Sequence, residues 1–288
     1  MMQTEPAWAK LNLTLDILGK RPDGYHDLRM VMQSIDLQDT ITVETEEQPG
    51  IRVASNFHFL PCDENNIAAK AAIRFFEATG LPRPGLSISM EKNIPVCAGM
   101  AGGSSDGAAV LRILRRTYCP ELPPERLEEI GALVGSDVPY CVRGGTALAE
   151  GRGERLTDLP PLPPCYFVIC KPSFAISTPE LFSLVHMRRF HCRPDTAGMI
   201  SALTEGDLAG VAHRLYNVFE DVLPRKYAQV FDIKRALLDH GAMASSMSGS
   251  GPTVFGMFSD KERATAARDA LLPLFPQTFL CHSVGKSV

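Results

Sequence analysis

From Lys10 to Ile17 apolar and polar residues alternate without a break. Leu11, Leu13, Leu15 and Ile17 fall on one face, Lys10, Asn12, Thr14 and Asp16 on the other. A period of two is the mark of a half-buried strand. Arg21-Pro22-Asp23-Gly24 has turn chemistry, and Leu28–Ser34 and Thr40–Glu44 read as further strands. The period then lengthens. Asn65 or Asn66 caps a helix that runs through Ala71 and Phe75 and stops at Gly80. Leu86–Met90 is strand-like. Ala108, Leu111, Ile113 and Leu114, with Arg112, Arg115 and Arg116 between them, predict an amphipathic helix. Another starts near Pro124, passes through Leu127, Ile130 and Val134, and ends at Gly135-Ser136-Asp137. Thr146–Arg155 reads as a hairpin.

The strongest change of composition is Leu159-Pro-Pro-Leu-Pro-Pro-Cys165. It places a domain boundary there, dividing the chain into 1–158 and 159–288. Beyond it come a strand at Tyr166–Cys170 and a helix opened by Ser177-Thr178-Pro179-Glu180. Helical patterns follow at Leu208–Leu223 and Val230–Leu238, then strands at 242–247 and Thr253–Phe258, a helix at Asp260–Leu272 and a strand at Thr278–Val284. That order is ferredoxin-like, with extra helices inserted. The expected class is α+β.

Composition narrows the function. The 288 residues, 45% hydrophobic and 22% charged, suit a soluble globular protein of one large or two ordinary domains. A net charge of −4 without a basic block gives no footprint for nucleic acid or a membrane surface, which leaves small-molecule chemistry. No apolar run is long enough to span a bilayer, and the first twenty residues lack a signal-peptide core, so a cytoplasmic protein is expected. The eight cysteines are scattered with no C-x-x-C, and are read as reduced, mostly buried thiols rather than disulfides or metal ligands.

The candidate chemistry begins in a stretch with almost no side chains, Pro95 to Ser105. No lysine stands between Gly99 and Arg112, which excludes a Walker loop, and no G-x-G-x-x-G is present. Gly99, Ala101, Gly102 and Gly103 instead let main-chain N–H groups approach a ligand, while Ser104-Ser105-Asp106 read as N-cap residues of the helix that follows. The positive end of that helix suits a phosphate. Two alternatives remain open: a loop that merely packs small residues, and a hydrolase elbow, because Gly103-Ser104-Ser105-Asp106-Gly107 matches G-x-S-x-G. The elbow needs a strand directly before it, and Leu86–Met90 ends well upstream.

Phosphoryl transfer also needs a group that orients the acceptor hydroxyl or takes its proton. Lys10 and Asn12, one alternation apart, project to the same side, and Asp137 stands at a helix end in an apolar setting. Taken singly, each also reads as a surface or capping residue. Ser245 to Phe255 is a second glycine and serine turn ahead of a strand.

Together, Pro6–Leu13, Pro95–Ser105 and Ser245–Thr253 resemble the three motifs of the GHMP small-molecule kinases. Within that superfamily, Lys10-Leu-Asn-Leu-Thr-Leu followed by Lys20-Arg21-Pro22-Asp23-Gly24-Tyr25-His26-Asp27-Leu28 is similar to the branch acting on 4-diphosphocytidyl-2-C-methyl-D-erythritol. The resemblance implies a two-domain fold, an N-terminal α/β domain like ribosomal protein S5 plus a C-terminal ferredoxin-like domain. It implies ATP as co-substrate with magnesium, and phosphorylation of the substrate's 2-hydroxyl in non-mevalonate isoprenoid biosynthesis. Asp137 matches the proposed general base and Lys10 the lysine that supports it. Asn12, Tyr25, His26 and Phe182 match substrate contacts, Tyr25 and Phe182 as the two faces of a cytosine sandwich. Pro95, Val96, Cys97, Ala98, Gly99, Met100, Ala101, Gly102, Gly103, Ser104 and Ser105 match the ATP loop. The loop departs from the family in carrying Cys97, Ala98, Met100 and Ala101 where many members have glycine, and alanine does not take positive φ cheaply. The resemblance does not single out a magnesium-positioning residue among Ser104, Ser105 and Asp106. The expected partner is one small molecule with a cytidine diphosphate group, with no nucleic acid or membrane, on a monomer or weak homodimer. Related kinases of homoserine, mevalonate or a sugar, a non-catalytic ATP sensor, and a Ser105 hydrolase are the alternatives.

Overall fold

The computed structural model describes residues 1–185 and 190–287. β1 (Met2–Lys20) and β2 (His26–Glu46) form a long antiparallel ribbon. Its turn is held by the Arg21 guanidinium, which donates to Asp23 and Asp27, and by Asp23 Oδ1, which accepts the Tyr25 N–H at 3.1 Å. β2 is one strand where the sequence suggested two. A register shift opposite Trp8 and Ala9 absorbs the polar stretch around Asp36–Gln38 without breaking the ladder.

A second shift, between Asn12 and Thr14, overturns the simple alternation of β1. One extra residue reverses the side to which everything beyond it points. Leu11 and Leu13 therefore pack with Phe167, Ile169 and Phe255, whereas Leu15 and Ile17 join Met30 and Met32 in a different part of the core. The polar residues are not solvated either: Lys10, Asn12, Thr14 and Asp16 are all buried. The bulge sends Lys10, Asn12 and Leu15 to the same cavity.

β3 (Ile51–Ser55) and β4 (Gly85–Glu91) extend the sheet, whose path is β3-β4-β2-β1-β8, where β8 is Tyr216–Asn217. The hairpin β5 (Thr146–Gly151) and β6 (Arg155–Asp158) joins through β2. α1 (Ile67–Thr79) is capped by the Asn66 side chain, which accepts the Ala68 N–H, and ends at Gly80 in the left-handed region. It packs against α2 (Gly102–Tyr118), which lies on β1 and β2. α3 (Pro124–Ala132) and the short α4 (Val138–Arg143) complete this half.

The second sheet has the order β11-β7-β10-β9, antiparallel throughout, from β7 (Tyr166–Lys171), β9 (Ala244–Met247), β10 (Val254–Phe258) and β11 (Gln277–His282). With α8 (Gln229–Asp239) and α9 (Lys261–Leu271) this is the ferredoxin-like arrangement. The inserted helices are α5 (Thr178–Val185), α6 (Thr196–Glu205) and α7 (Leu208–His213).

The helix expected through Leu223 stops at His213. Asn217 breaks it: its Nδ2 donates to Met247 O and Gly249 O, its Oδ1 accepts the Phe219 N–H, and Tyr216–Asn217 pairs with Thr14–Leu15 of β1. The second half of the chain is thus stitched to the strand carrying Lys10 and Asn12. Among the described residues, no helix is long and apolar enough to cross a membrane.

Candidate active site

The bare stretch becomes a strained loop between β4 and α2. α2 starts at Gly102, so Ser104, Ser105 and Asp106 lie inside its first turns rather than capping it. The cap position is Ala101, at φ 58°, and it offers no side-chain hydrogen bond. A helix start without a side-chain cap leaves N–H donors for another acceptor, and Gly102, Gly103 and Ser104 line the cavity. Cys97 is also at positive φ, 53°. Each such residue costs about 1–2 kcal/mol, so the loop holds strain that surrounding contacts must offset.

Two of those contacts come from the other singled-out stretches. The Lys10 N–H donates to Met100 O at 3.2 Å, and Ser248 Oγ donates to Gly99 O at 2.9 Å. Ser248 Oγ also accepts the Asn12 N–H at 3.3 Å. The three stretches, far apart in sequence, therefore meet at one point.

Beside the loop, Lys10 Nζ donates to Asn12 Oδ1 at 2.5 Å and stands 3.8 Å from Asp137 Oδ2. Asp137 heads α4, yet its carboxylate makes no capping hydrogen bond and is 34% exposed, on the cavity wall. A buried ammonium thus faces a carboxylate that is open to a ligand.

At the far end of the same cavity, Tyr25 is 52% exposed and His26 is buried beside it. The Phe182 ring does not stand opposite Tyr25 as a bare second face. It stacks on His26, centroids 4.7 Å apart at 22°, and meets Phe219 edge-on. The Tyr25 ring is covered instead by the Arg152 guanidinium, 3.9 Å from its centroid. Arg152 lies between Gly151 and Gly153 in the β5–β6 turn; a charged side chain flanked by two glycines was the signal available in the sequence, and the hairpin reading passed over it.

The cavity has a volume of about 1340 Å³. A single small-molecule site usually occupies roughly 300–1,000 Å³, so there is room for two ligands. Lys10, Asn12, Tyr25, His26, Asp137, Phe182 and the loop from Pro95 to Ser104 line it, with the exception of Met100. Met100 turns its side chain into the core. Ser105 is off the wall too: it is buried, and its Oγ donates to Trp8 O at 2.6 Å and to Ala101 O at 3.1 Å. With its proton committed to main-chain carbonyls and no strand leading into it, Ser105 has no nucleophile-elbow geometry.

Sequence reading passed over Lys92, and it read Asp106 only as a cap or magnesium-positioning candidate; both are buried and both are on the wall. Lys92 Nζ bonds Asp39 and lies 2.5 Å from Asp106 Oδ2. Burial pushes the Asp106 carboxyl up to about 7, with Lys92 opposing the rise and Asp39 adding to it. The cysteines are free, but only half are buried: Cys141, Cys165, Cys170 and Cys281 are, while Cys62, Cys97 and Cys192 are exposed.

Residues 66–145 match the family described as GHMP kinases N terminal domain and residues 199–275 match GHMP kinases C terminal. A 4-diphosphocytidyl-2-C-methyl-D-erythritol kinase of Alkaliphilus metalliredigens is 42% identical over 96% of this chain and 95% of its own. Its counterpart in Lachnoclostridium phytofermentans is 44% identical over 95% and 94%. Among solved structures, a 4-(cytidine 5'-diphospho)-2C-methyl-D-erythritol kinase superposes with a TM-score of 0.83 at 30% identity, covering 98% of this chain and 100% of that one. A homoserine kinase from Cytophaga hutchinsonii shares the fold, with a TM-score of 0.75 at 18% identity, covering 99% and 95%. Identity of this order over the whole length leaves one conclusion: the chain is a small-molecule kinase of the GHMP superfamily and belongs to its 4-diphosphocytidyl-2-C-methyl-D-erythritol kinase family.

Proposed function

We propose that the protein transfers the γ-phosphoryl group of ATP to the 2-hydroxyl of 4-diphosphocytidyl-2-C-methyl-D-erythritol, giving the 2-phosphate and ADP, as a cytoplasmic step of non-mevalonate isoprenoid precursor synthesis. The observation that carries this reading is the pairing of Lys10 with Asp137, 3.8 Å apart, in a cavity that the bare loop and the Tyr25, His26 and Phe182 rings also line. We divide the enzyme at 158/159 and seat both ligands in the cleft, with every named residue supplied by one chain.

Asp137 accepts the proton of the acceptor hydroxyl as its oxygen bonds to the γ-phosphorus and the bond to the ADP oxygen breaks. Lys10, held by Asn12, steadies the charge that develops there. Asn12 also contacts the acceptor. The loop from Pro95 to Ser105 carries the nucleotide, with its backbone and the start of α2 against the phosphates. Magnesium would enter with ATP, and of Ser104, Ser105 and Asp106 at the start of α2 it is Ser104 and Asp106 that line the cavity and would hold it beside the phosphates. Bound there, the ion neutralises charge on the transferring group.

Tyr25 stacks on the cytosine ring, and His26 reads its polar edge while stacked on Phe182. Arg152, whose guanidinium covers a face of the Tyr25 ring, is displaced if the base stacks on that face. Tyr25→Ala is expected to raise the KM for the cytidine substrate by about 10- to 100-fold, the equivalent of one lost stacking platform, with the KM for ATP unchanged. An unchanged substrate KM removes Tyr25 from the site.

The deciding assay is ADP release with magnesium and ATP, comparing 4-diphosphocytidyl-2-C-methyl-D-erythritol with homoserine, mevalonate and galactose. Release with the first alone is expected. Release with another acceptor overturns the substrate assignment and keeps the kinase. No release with any of them, alongside ATP binding, makes the protein a sensor.

A further inference from the structure

The loop's two ends are bridged by one buried cation. At the entry end, Asp39 Oδ1 accepts the Asn93 and Ile94 N–H groups at 2.5 and 2.8 Å, and Lys92 exchanges main-chain hydrogen bonds with the Asn56 side chain at 2.8 and 3.1 Å. At the exit end, Asp106 sits on the second turn of α2. Lys92 Nζ spans the two, bonding Asp39 Oδ2 and Asp106 Oδ2. It passes beneath the helix start, where a Cβ on Gly102 would lie 3.6 Å from it.

Two carboxylates sharing one ammonium are a poor way to stabilise a fold, since desolvation of three charges is met by a single pair's neutralisation. They are a good way to fix a distance. The segment between them has left-handed backbone at Cys97 and Ala101 and few side chains long enough to pack. Its own anchors in the core are Ile94, Ala98 and Met100, and none of them ties the two ends of the loop to each other.

We propose that Lys92, with Asp39 and Asp106, is a clamp that keeps the glycine loop in its strained geometry and thereby sets affinity for the nucleotide; the second clause rests on the ATP reading of that loop. The three are positioning residues, acting through the loop backbone.

Asp106→Ala frees the exit end while leaving Lys92 paired with Asp39, so no buried charge is orphaned. Without nucleotide, amide hydrogen exchange in 95–104 is expected to quicken about tenfold with exchange in β7 and β10 unchanged. The dissociation constant for magnesium ATP is expected to rise about tenfold with the cytidine-substrate KM unchanged. Asp106→Asn, which keeps an acceptor for Lys92, recovers most of both losses.

Wild-type exchange in Asp106→Ala overturns the clamp. So does Asp106→Asn as impaired as Asp106→Ala, because negative charge rather than position would then matter. Asp39→Asn loosens the other end while retaining the acceptor for Asn93 and Ile94, and must give the same local signature. If both Asp106→Ala and Asp39→Asn fail to fold, the triad is a folding element and the proposal falls. Faster local exchange in Asp106→Ala, with a wild-type protein that binds no ATP, would support the clamp and count against the kinase loop instead.

Discussion

Asp137→Asn is expected to lower kcat by about 10²- to 10⁴-fold while leaving ATP affinity and thermal stability near wild type. The change removes proton-accepting capacity and keeps shape. Stability is spared because the carboxylate makes no capping hydrogen bond to α4, and its partner Lys10 retains Asn12. ATP affinity is spared because the loop is fixed by Lys10 N–H, Ser248 and the start of α2, none of which involves the Asp137 side chain. Lys10→Met should lower kcat nearly as far, and the double variant should be little worse than either single one, since the two act as a unit. Steady-state ADP release and titration calorimetry with ATP check this. Full turnover in Asp137→Asn or Lys10→Met would remove the catalytic assignment.

Gly99→Ala should abolish ATP binding and cost about 3 kcal/mol or more of stability, a sum of left-handed strain and overpacking. Gly99 has φ 72°, and a Cβ there would lie 2.2 Å from the Ser248 carbonyl oxygen. The other two nearest atoms, Gly251 N and O, are main chain as well, so no side chain can rotate away. To make room, the Ser248–Gly251 turn must part from the loop, which breaks the Ser248 bond to Gly99 O and disturbs the Asn12 N–H contact. Nucleotide titration and thermal unfolding measure the two parts separately. A Gly99→Ala protein with wild-type ATP affinity would show that the loop can separate from the third stretch without consequence.

Much of the cavity lining was legible because it comes from local strings. The Arg21–Gly24 turn places Tyr25 and His26 side by side whatever the rest of the chain does, and a run of glycine and alanine before an amphipathic helix offers bare backbone at a helix start wherever it sits. Arg152 and Lys92 escaped for the opposite reason. Each gains its meaning only from what lies across the cavity: Tyr25 for Arg152, Asp39 and Asp106 for Lys92. Met100 and Ser105 were placed in the nucleotide loop by their position in the string, and the direction of a side chain within a tight loop is set by backbone angles that the string does not encode.

The sequence by itself determined most of the elements and their kinds: strand at Lys10–Ile17, Leu28–Ser34 and Thr40–Glu44, the capped α1, most of the strand and helix order of the second half, and the three stretches that meet at the cavity. These follow from periodicity, capping and turn residues, which act over a few neighbours. Tertiary structure alone decided the rest. The bulge between Asn12 and Thr14 brought Leu15 to the cavity that Lys10 and Asn12 already face, Asn217 ended a helix to tie the second half to β1, and the same packing buried the polar side of a strand that alternation marks as solvated. Those outcomes depend on which surfaces meet, and desolvation, hydrogen-bond completion and close packing are properties of the pair of surfaces, written in neither segment separately.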